Sequence, residues 1–142
     1  MDTKKQTVTS SQGRFLVTKT FRFEAAHRLP YYDGPCKELH GHSYTLRVFV
    51  CGDRQADGPH RGMVIDYRNL TKATKNLLDL LDHSFLNNVT VPPGAIVNDY
   101  TTAENLAEWI YNELKYCIPG LYAIEVSETD STSAMYCPHY LQ

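Results

Sequence analysis

Two stretches near the start of the chain alternate apolar and polar residues with a period of two, as expected for β-strands buried on one face. The first covers residues 14–29 and the second residues 42–52. Each apolar face also carries a histidine, His27 in the first stretch and His42 in the second. The apolar residues on these faces are Phe15, Val17, Phe21, Phe23 and Ala25 in the first, and Tyr44, Leu46, Val48 and Val50 in the second. Any fold of this chain must therefore pack two one-sided strands against a core.

The connection between the two strands, residues 29–39, contains prolines and a glycine that favour turns. It predicts a hairpin closed by a long loop. Long loops often carry functional residues, and this one contains Cys36.

Two helices are predicted in the middle of the chain. Asp66 can cap the first, which runs to about Leu81 because leucines recur there at helical spacing. Thr101 and Glu104 fit a capping box that would open the second helix, and residues 119–120, Pro-Gly, end it.

The end of the chain returns to strand patterns. Residues 121–128 alternate, with Tyr122, Ile124, Val126 and Glu128 on one face, and residues 133–137 can pair back across a turn at 129–133. The resulting order, ββααββ, predicts an α+β fold in which an antiparallel four-stranded sheet carries two helices on one face.

Length and composition restrict the class of protein. A chain of 142 residues fits one domain, which we assign to residues 14–142, with the polar residues 1–13 as a flexible N-terminal arm. The net charge of -2 provides no basic surface for nucleic acid. No apolar run reaches the roughly 20 residues that cross a bilayer, and no signal-peptide pattern opens the chain. We therefore expect a cytoplasmic protein with no membrane partner, whose four irregularly spaced cysteines are free thiols.

Three histidines point to a metal site. A lone histidine on an apolar strand face is usually a hydrogen-bonded core residue. Here, however, His40 and His42 are two residues apart and share one side of a strand, and His27 can face them across the hairpin. Three neutral imidazoles around an open fourth position are typical of catalytic zinc sites, whereas structural sites usually close with four ligands.

Cys36 allows several interpretations. It can complete a four-ligand structural site, or it can be an inert buried thiol, as most cysteines are. Its polar loop and the neighbouring Lys37 instead favour a thiolate that acts as a base or nucleophile. Spacing alone does not choose between these roles.

Two further groups are candidates for chemistry. Asp82 and His83 can be an ordinary charged helix end, or a carboxylate that supports a proton-transferring histidine. Glu128 can be a surface carboxylate at a strand end, or an acceptor of two hydrogen bonds from an amino-substituted heterocycle such as a pterin. We interpret His60 and His139 as surface residues.

The motifs taken together resemble a known family. They are "FEAAHRL", "CKELHGHSY", "GMVIDY", "LDHSFLN", "TTAENLAEWI" and "EVSET", in that order. This combination, over roughly residues 15–136, resembles the 6-pyruvoyl-tetrahydropterin synthase and 6-carboxytetrahydropterin synthase family.

The resemblance implies roles for individual residues. Zinc would be held by three histidines, Cys36 would be the catalytic base, and Asp82 with His83 would complete the acid-base set. Glu128 would anchor the pterin, with Thr102 near the same pocket. The zinc ligands implied by the resemblance are His27, His40 and His42.

The resemblance also implies an assembly. Members of the family have the tunnelling fold, in which the sheets of neighbouring subunits join into a barrel, commonly in a hexamer of two trimers. Their sites lie between subunits. A sheet covered on one face only is consistent with such an assembly, because its edges and other face need cover.

One spacing separates two branches of the family. Pyruvoyl-forming members typically place five residues between the cysteine and the HGH motif, whereas carboxy-forming members of queuosine and deazapurine biosynthesis typically place three. Here residues 37–39 make three. The resemblance therefore favours the lyase that converts 7,8-dihydroneopterin triphosphate to 6-carboxytetrahydropterin, acetaldehyde and triphosphate.

Three other interpretations stay open. The first is the pyruvoyl-forming enzyme, which shares every site residue. The second is a thiol hydrolase that uses Cys36 with His83 as its base. The third is a noncatalytic zinc-binding or pterin-binding module.

Overall fold

The computed structural model describes residues 14–89 and 100–139 of the chain. The predicted N-terminal arm lies outside these residues. The elements in chain order are β1 (Phe15–His27), β2 (His40–Gly52), α1 (Tyr67–Leu81), β3 (Ser84–Phe85), α2 (Ala103–Leu114), β4 (Leu121–Thr129) and β5 (Thr132–Tyr136). The strands form one sheet in the order β3-β1-β2-β4-β5.

The predicted N-terminal hairpin is confirmed. β1 and β2 pair antiparallel in continuous register, from Phe15 opposite Gly52 to His27 opposite His40. The loop between them includes a single 3₁₀ turn, Pro35–Lys37, which carries Cys36. Just after the end of β1, the Leu29 amide donates to the Cys36 carbonyl at 2.8 Å, which holds the Cys36 segment close to the end of that strand.

Both helices pack on one face of the sheet, as the α+β prediction requires. The alternating residues of β1, β2 and β4 and the apolar stripes of α1 and α2 form a single core. No helix among the described residues is long and apolar enough to span a membrane. The fully buried residues of this core include Tyr44, Leu46, Val48, Leu70, Leu81, Leu106, Ile110, Ile124 and Val126.

The helix starts agree with the sequence in one case and differ in the other. Asp66 caps α1, as predicted, and accepts from the Arg68 amide at 2.9 Å. The predicted cap at Thr101 is wrong, because Thr102 caps α2 and accepts from the Asn105 amide at 3.3 Å. Thr101 is fully buried and lies one residue before the cap.

The sheet contains one strand more than the predicted four. β3 is a two-residue strand that follows α1 and pairs parallel with β1 at Ala25 and Ala26. A strand of two residues is too short to show the alternation of apolar and polar residues that identifies strands in a sequence. It adds an edge strand at the end of the sheet that carries Asp82 and His83.

β4 contains a bulge that the sequence pattern does not reveal. Phe49 pairs with Ala123 while Val50 pairs with Leu121, so Tyr122 is an extra residue in the register. The bulge removes Tyr122 from the predicted inward face, where Leu121 and Ala123 are buried instead. Beyond the bulge the predicted alternation holds, and Ile124 and Val126 face the core.

The C-terminal hairpin is confirmed, with a tighter turn than predicted. Thr129 pairs with Thr132, so only Asp130 and Ser131 form the turn. Glu128 therefore lies just before the end of β4, next to this turn.

Gly120 should be essential for the connection between α2 and β4. Its φ is 76°, and a Cβ atom there would lie 2.8 Å from the Cys51 carbonyl oxygen. Gly58 is a matched control, because its φ is 79° and no described atom outside its immediate chain neighbours lies within 4 Å of such a Cβ. Both alanine substitutions should lower the free energy of unfolding by about 1–2 kcal/mol through the left-handed backbone. Gly120→Ala should lower it further because of the contact with backbone.

Urea unfolding followed by circular dichroism measures this difference. An equal decrease in the free energy of unfolding for Gly120→Ala and Gly58→Ala would mean that the close approach to Cys51 does not affect stability.

Candidate metal centre and its surroundings

The register of β1 and β2 brings the three predicted histidines together. His27 lies directly opposite His40, and His42 lies opposite Ala25 on the same face. The ring centroids are 4.6 Å apart for His27 and His40, 5.1 Å for His27 and His42, and 4.8 Å for His40 and His42. One ligand nitrogen from each ring lies within 4.8 Å of the others, so these side chains can hold a metal ion.

The Nδ1 atoms of two rings face backbone carbonyl oxygens. His27 Nδ1 is 3.0 Å from the Thr101 carbonyl and 3.1 Å from the Thr101 hydroxyl, and His40 Nδ1 is 2.7 Å from the Glu38 carbonyl. Because a carbonyl only accepts hydrogen bonds, Nδ1 carries the proton in both rings. In the neutral rings the lone pair is therefore on Nε2.

The Nε2 atoms of His27, His40 and His42 are all buried and have no hydrogen-bond partner within the described parts of the chain. Buried polar atoms normally have a partner, because an unsatisfied one costs free energy. A metal ion bound by all three lone pairs satisfies them together. The donor set, neutral nitrogens with fixed ring orientation, is the one that zinc prefers in catalytic sites.

Burial keeps His27 and His42 neutral. It lowers the pKa of His27 to about 4 and outweighs the opposing effect of the hydrogen bond to the Thr101 carbonyl, while the neighbouring His40 and His42 add smaller lowering effects. Burial also lowers the pKa of His42, and His40 adds to the effect. Neutral imidazoles at physiological pH are ready to bind metal without first losing a proton.

Glu128 lies beside the histidines. Its two carboxylate oxygens are each 3.9 Å from an Nε2 atom, Oε1 from that of His27 and Oε2 from that of His42. Burial raises the pKa of Glu128 and outweighs the opposing effect of His40. The predicted acceptor is thus adjacent to the metal-capable group, although it is not one of its members.

Cys36 is half-buried in its 3₁₀ turn. The metal-capable group found among the described residues contains the three histidines without this cysteine. The cysteine is therefore outside this group of ligand atoms.

Asp82 and His83 lie at the edge of the sheet, between α1 and β3. Asp82 accepts from the Glu24 amide at 2.8 Å and lies 3.0 Å from His83 Nδ1. The bond from the Glu24 amide is the main reason why the pKa of Asp82 is lowered, so the carboxylate is ionised at neutral pH. The two side chains are therefore paired, as the acid-base prediction requires.

The backbone of His83 has an unusual conformation. Its φ of 57° is left-handed, and its amide donates to the Glu24 carbonyl. A left-handed non-glycine residue is costly, and such residues are often found at functional positions. The His83 side chain is 81% exposed and lines a cleft of about 440 Å³ together with His42.

The other predicted residues have local roles. Thr102 uses its hydroxyl to cap α2. His60, predicted to be on the surface, is partly exposed and lies 3.5 Å from Asp66, and His139 stacks on Tyr122.

Sequence reasoning missed three groups at this site. Thr101 was interpreted as a helix cap, although it orients His27. The Glu38 carbonyl, which orients His40, is backbone and leaves no signal in the sequence. The sequence pattern predicts Tyr44 only as a core residue, although its ring contacts His42 and its hydroxyl is buried.

The chain is similar to known proteins in both sequence and structure. The family model described as 6-pyruvoyl tetrahydropterin synthase matches residues 16–139. The 6-carboxy-5,6,7,8-tetrahydropterin synthase of Synechocystis sp. is 38% identical, over 86% of this chain and 92% of the relative. The enzyme of the same name from Haemophilus influenzae is 35% identical, over 72% and 83%.

A solved structure is also similar. The 6-pyruvoyl tetrahydropterin synthase of Caenorhabditis elegans superposes with a TM-score of 0.74 and 28% identity, covering 88% of this chain and 96% of that one. The two curated relatives thus carry the name of the carboxy-forming enzyme and this structure the name of the pyruvoyl-forming one.

We expect Thr101 to control metal affinity through His27. Thr101→Val keeps the shape and the carbonyl but removes the hydroxyl that contacts Nδ1, so zinc affinity should fall about tenfold. Thr102→Val is the matched control: loss of the helix cap should lower stability by about 1 kcal/mol with zinc affinity unchanged. Competition with a chromophoric zinc chelator measures the affinity, and thermal unfolding measures the stability. Equal zinc affinities in the two variants would show that the Thr101 hydroxyl does not orient His27 for metal binding.

Proposed function

Because the chain belongs to the 6-pyruvoyl tetrahydropterin synthase family, we propose that it is a 6-carboxy-5,6,7,8-tetrahydropterin synthase. It converts 7,8-dihydroneopterin triphosphate to 6-carboxytetrahydropterin, acetaldehyde and triphosphate. The product serves queuosine or 7-deazapurine biosynthesis. The single observation that carries the choice of product is the 38% identity over nearly the whole length of a relative with that name.

The ligands of a zinc ion would be His27, His40 and His42, whose Nε2 atoms converge. Bound there, zinc would supply Lewis-acid chemistry to the hydroxyl groups of the substrate side chain. Binding requires no rearrangement of the two rings, because the Thr101 and Glu38 carbonyls already orient His27 and His40.

Glu128 binds the pterin. A carboxylate accepts two hydrogen bonds at once, which matches the amino group and the ring N–H of a pterin. Its position 3.9 Å from His27 and His42 supports a substrate whose ring lies on the carboxylate and whose side chain reaches the metal site. Thr102 keeps its hydroxyl proton while capping α2, and that proton is available to the same substrate.

The remaining residues move protons. Cys36, as thiolate, takes a proton from a side-chain carbon, and the Asp82–His83 pair relays a proton back to the substrate. Such an internal shift from side chain to ring converts a dihydropterin to a tetrahydropterin without an external reductant. Asp82 supports this role because its carboxylate lies 3.0 Å from His83 Nδ1, where it can accept a hydrogen bond and orient the ring.

The active enzyme is a cytoplasmic oligomer, a hexamer of two trimers with sites between subunits. Two features support this part of the proposal. His83 is largely exposed at the sheet edge, where it can reach a neighbouring copy. Within residues 14–89 and 100–139, the sheet face opposite the helices has a polar cavity of about 280 Å³, lined by Arg22 and Arg47 among others, and no second helical layer.

The pyruvoyl-forming reaction is the second candidate, favoured by the similarity to the Caenorhabditis elegans structure. The gap of three residues between Cys36 and His40 supports the carboxy-forming reaction instead. This gap sets where the thiol lies relative to the substrate side chain, and proton transfer tolerates displacements of only about 1 Å.

Cys36→Ala should retain the fold and the bound zinc but lower kcat by about 100-fold or more, because it removes a base and no ligand. Cys117→Ala is the matched control, since that exposed thiol lies at a separate cleft beside α1. Steady-state kinetics and metal analysis of both variants provide the test. Zinc loss in Cys36→Ala would make the cysteine a fourth ligand, and full activity would exclude it from catalysis.

Incubation with 7,8-dihydroneopterin triphosphate should yield 6-carboxytetrahydropterin and one acetaldehyde per turnover. Chromatography of the pterins, with an aldehyde trap in the reaction, measures both products. A 6-pyruvoyl product without trapped acetaldehyde would assign the chain to the other branch. Absence of any turnover, with pterin still bound, would favour a noncatalytic pterin-binding module.

A further inference from the structure

Tyr44 lies between the core and the histidines. It is fully buried, and its ring stacks on Phe23 with centroids 4.8 Å apart and planes 3° from parallel. Its edge contacts are with His42 at 5.4 Å and His27 at 5.9 Å. Phe23 is its direct cross-strand partner, so packing on three sides holds the phenol ring in one orientation.

The hydroxyl of Tyr44 is buried and has no hydrogen-bond partner in residues 14–89 and 100–139. A buried tyrosine hydroxyl usually has one, because the unsatisfied group costs free energy. Tyr111 illustrates the usual case, since it is also buried and its hydroxyl donates to the Leu121 carbonyl at 3.5 Å. An unpartnered hydroxyl beside a functional site indicates a hydrogen-bond partner that comes within reach when the site is occupied.

The strand register identifies that partner. Leu46 of β2 pairs with Val126 of β4, and both face the core. Because the strands are antiparallel, Tyr44, two residues before Leu46, and Glu128, two residues after Val126, lie toward the same end of the sheet and on the same face. A phenol O–H can donate a hydrogen bond, and an ionised carboxylate accepts one.

The Glu128 carboxylate has competing partners. Its oxygens lie 3.9 Å from the nitrogens of His27 and His42 that form the metal-capable group. A cation held there attracts the carboxylate as an additional ligand, which would remove it from a pterin and close the site. A fixed neutral donor on the neighbouring strand can hold the carboxylate away from the metal.

We propose that Tyr44 is a positioning residue whose buried hydroxyl, unpaired in the described residues, donates a hydrogen bond to the Glu128 carboxylate once that carboxylate turns from the His27 and His42 nitrogens, and holds it in the orientation that receives the pterin. The proposal rests on the pterin-binding role of Glu128 within the proposed function. Tyr44 itself touches neither the substrate nor the metal. Its contribution is therefore to substrate affinity and should disappear when Glu128 no longer carries a charge.

A double-mutant cycle tests the proposal. Neopterin, which lacks the triphosphate, serves as the probe, and calorimetry on the zinc-loaded oligomer measures its affinity. Tyr44→Phe should weaken binding about tenfold, because a buried hydrogen bond to a charged group is lost. In the Glu128→Gln background the same substitution should have little effect, because coupled residues are not additive. Tyr111→Phe, the matched buried tyrosine, should leave neopterin affinity unchanged.

Tyr44→Phe should also fold normally and retain its zinc, since phenylalanine keeps the stack on Phe23. Unchanged neopterin affinity in Tyr44→Phe, or equal weakening in both backgrounds, would overturn the proposal. Loss of zinc would overturn it too, because the effect would then act through the metal. If Glu128→Gln alone leaves neopterin affinity unchanged, Glu128 does not anchor the pterin and the proposed function fails at that point. If Glu128→Gln weakens binding but Tyr44→Phe does not, only the role of Tyr44 fails.

Discussion

The antiparallel register of β1 and β2 is the constraint on which the site depends. It places His27 directly opposite His40 and leaves His42 on the same face, next to Tyr44. A shift by one residue would turn every side chain of the shifted strand to the other face of the sheet. The histidines are fixed on the inner face because the same alternation buries Phe23, Leu46 and Val48 under the helices. The packing of the core therefore determines the positions of the three histidines. The loop that carries Cys36 lies outside this core.

Much of this arrangement could be predicted because it follows from local periodicity. The period of two predicted the strands and placed His27 and His42 on the buried face before any contact was known. The start of α1 was predicted as well, since a capping carboxylate acts on an amide only two residues away, as Asp66 does on Arg68. The fold class and the meeting of the histidines followed from these patterns alone.

What could not be predicted depends on contacts between distant residues or on single-residue irregularities. Thr101 and Thr102 are adjacent and chemically identical, and only the packing of α2 gives one to His27 and the other to the helix cap. The bulge at Tyr122 changes the phase of β4 without a glycine or proline to mark it. The unpartnered Tyr44 hydroxyl is invisible in the sequence, where a tyrosine on an apolar face suggests packing alone.

The contact between His27 and Thr101 joins residues separated by 74 positions in the chain. One of the three rings is thus oriented only after the start of α2 has packed onto the sheet. An unfolded or half-folded chain offers two histidines with a glycine between them, which is a weak and unselective chelator. High-affinity metal binding would therefore belong to the end of folding, and a bound ion would stabilise only chains that have completed their tertiary structure.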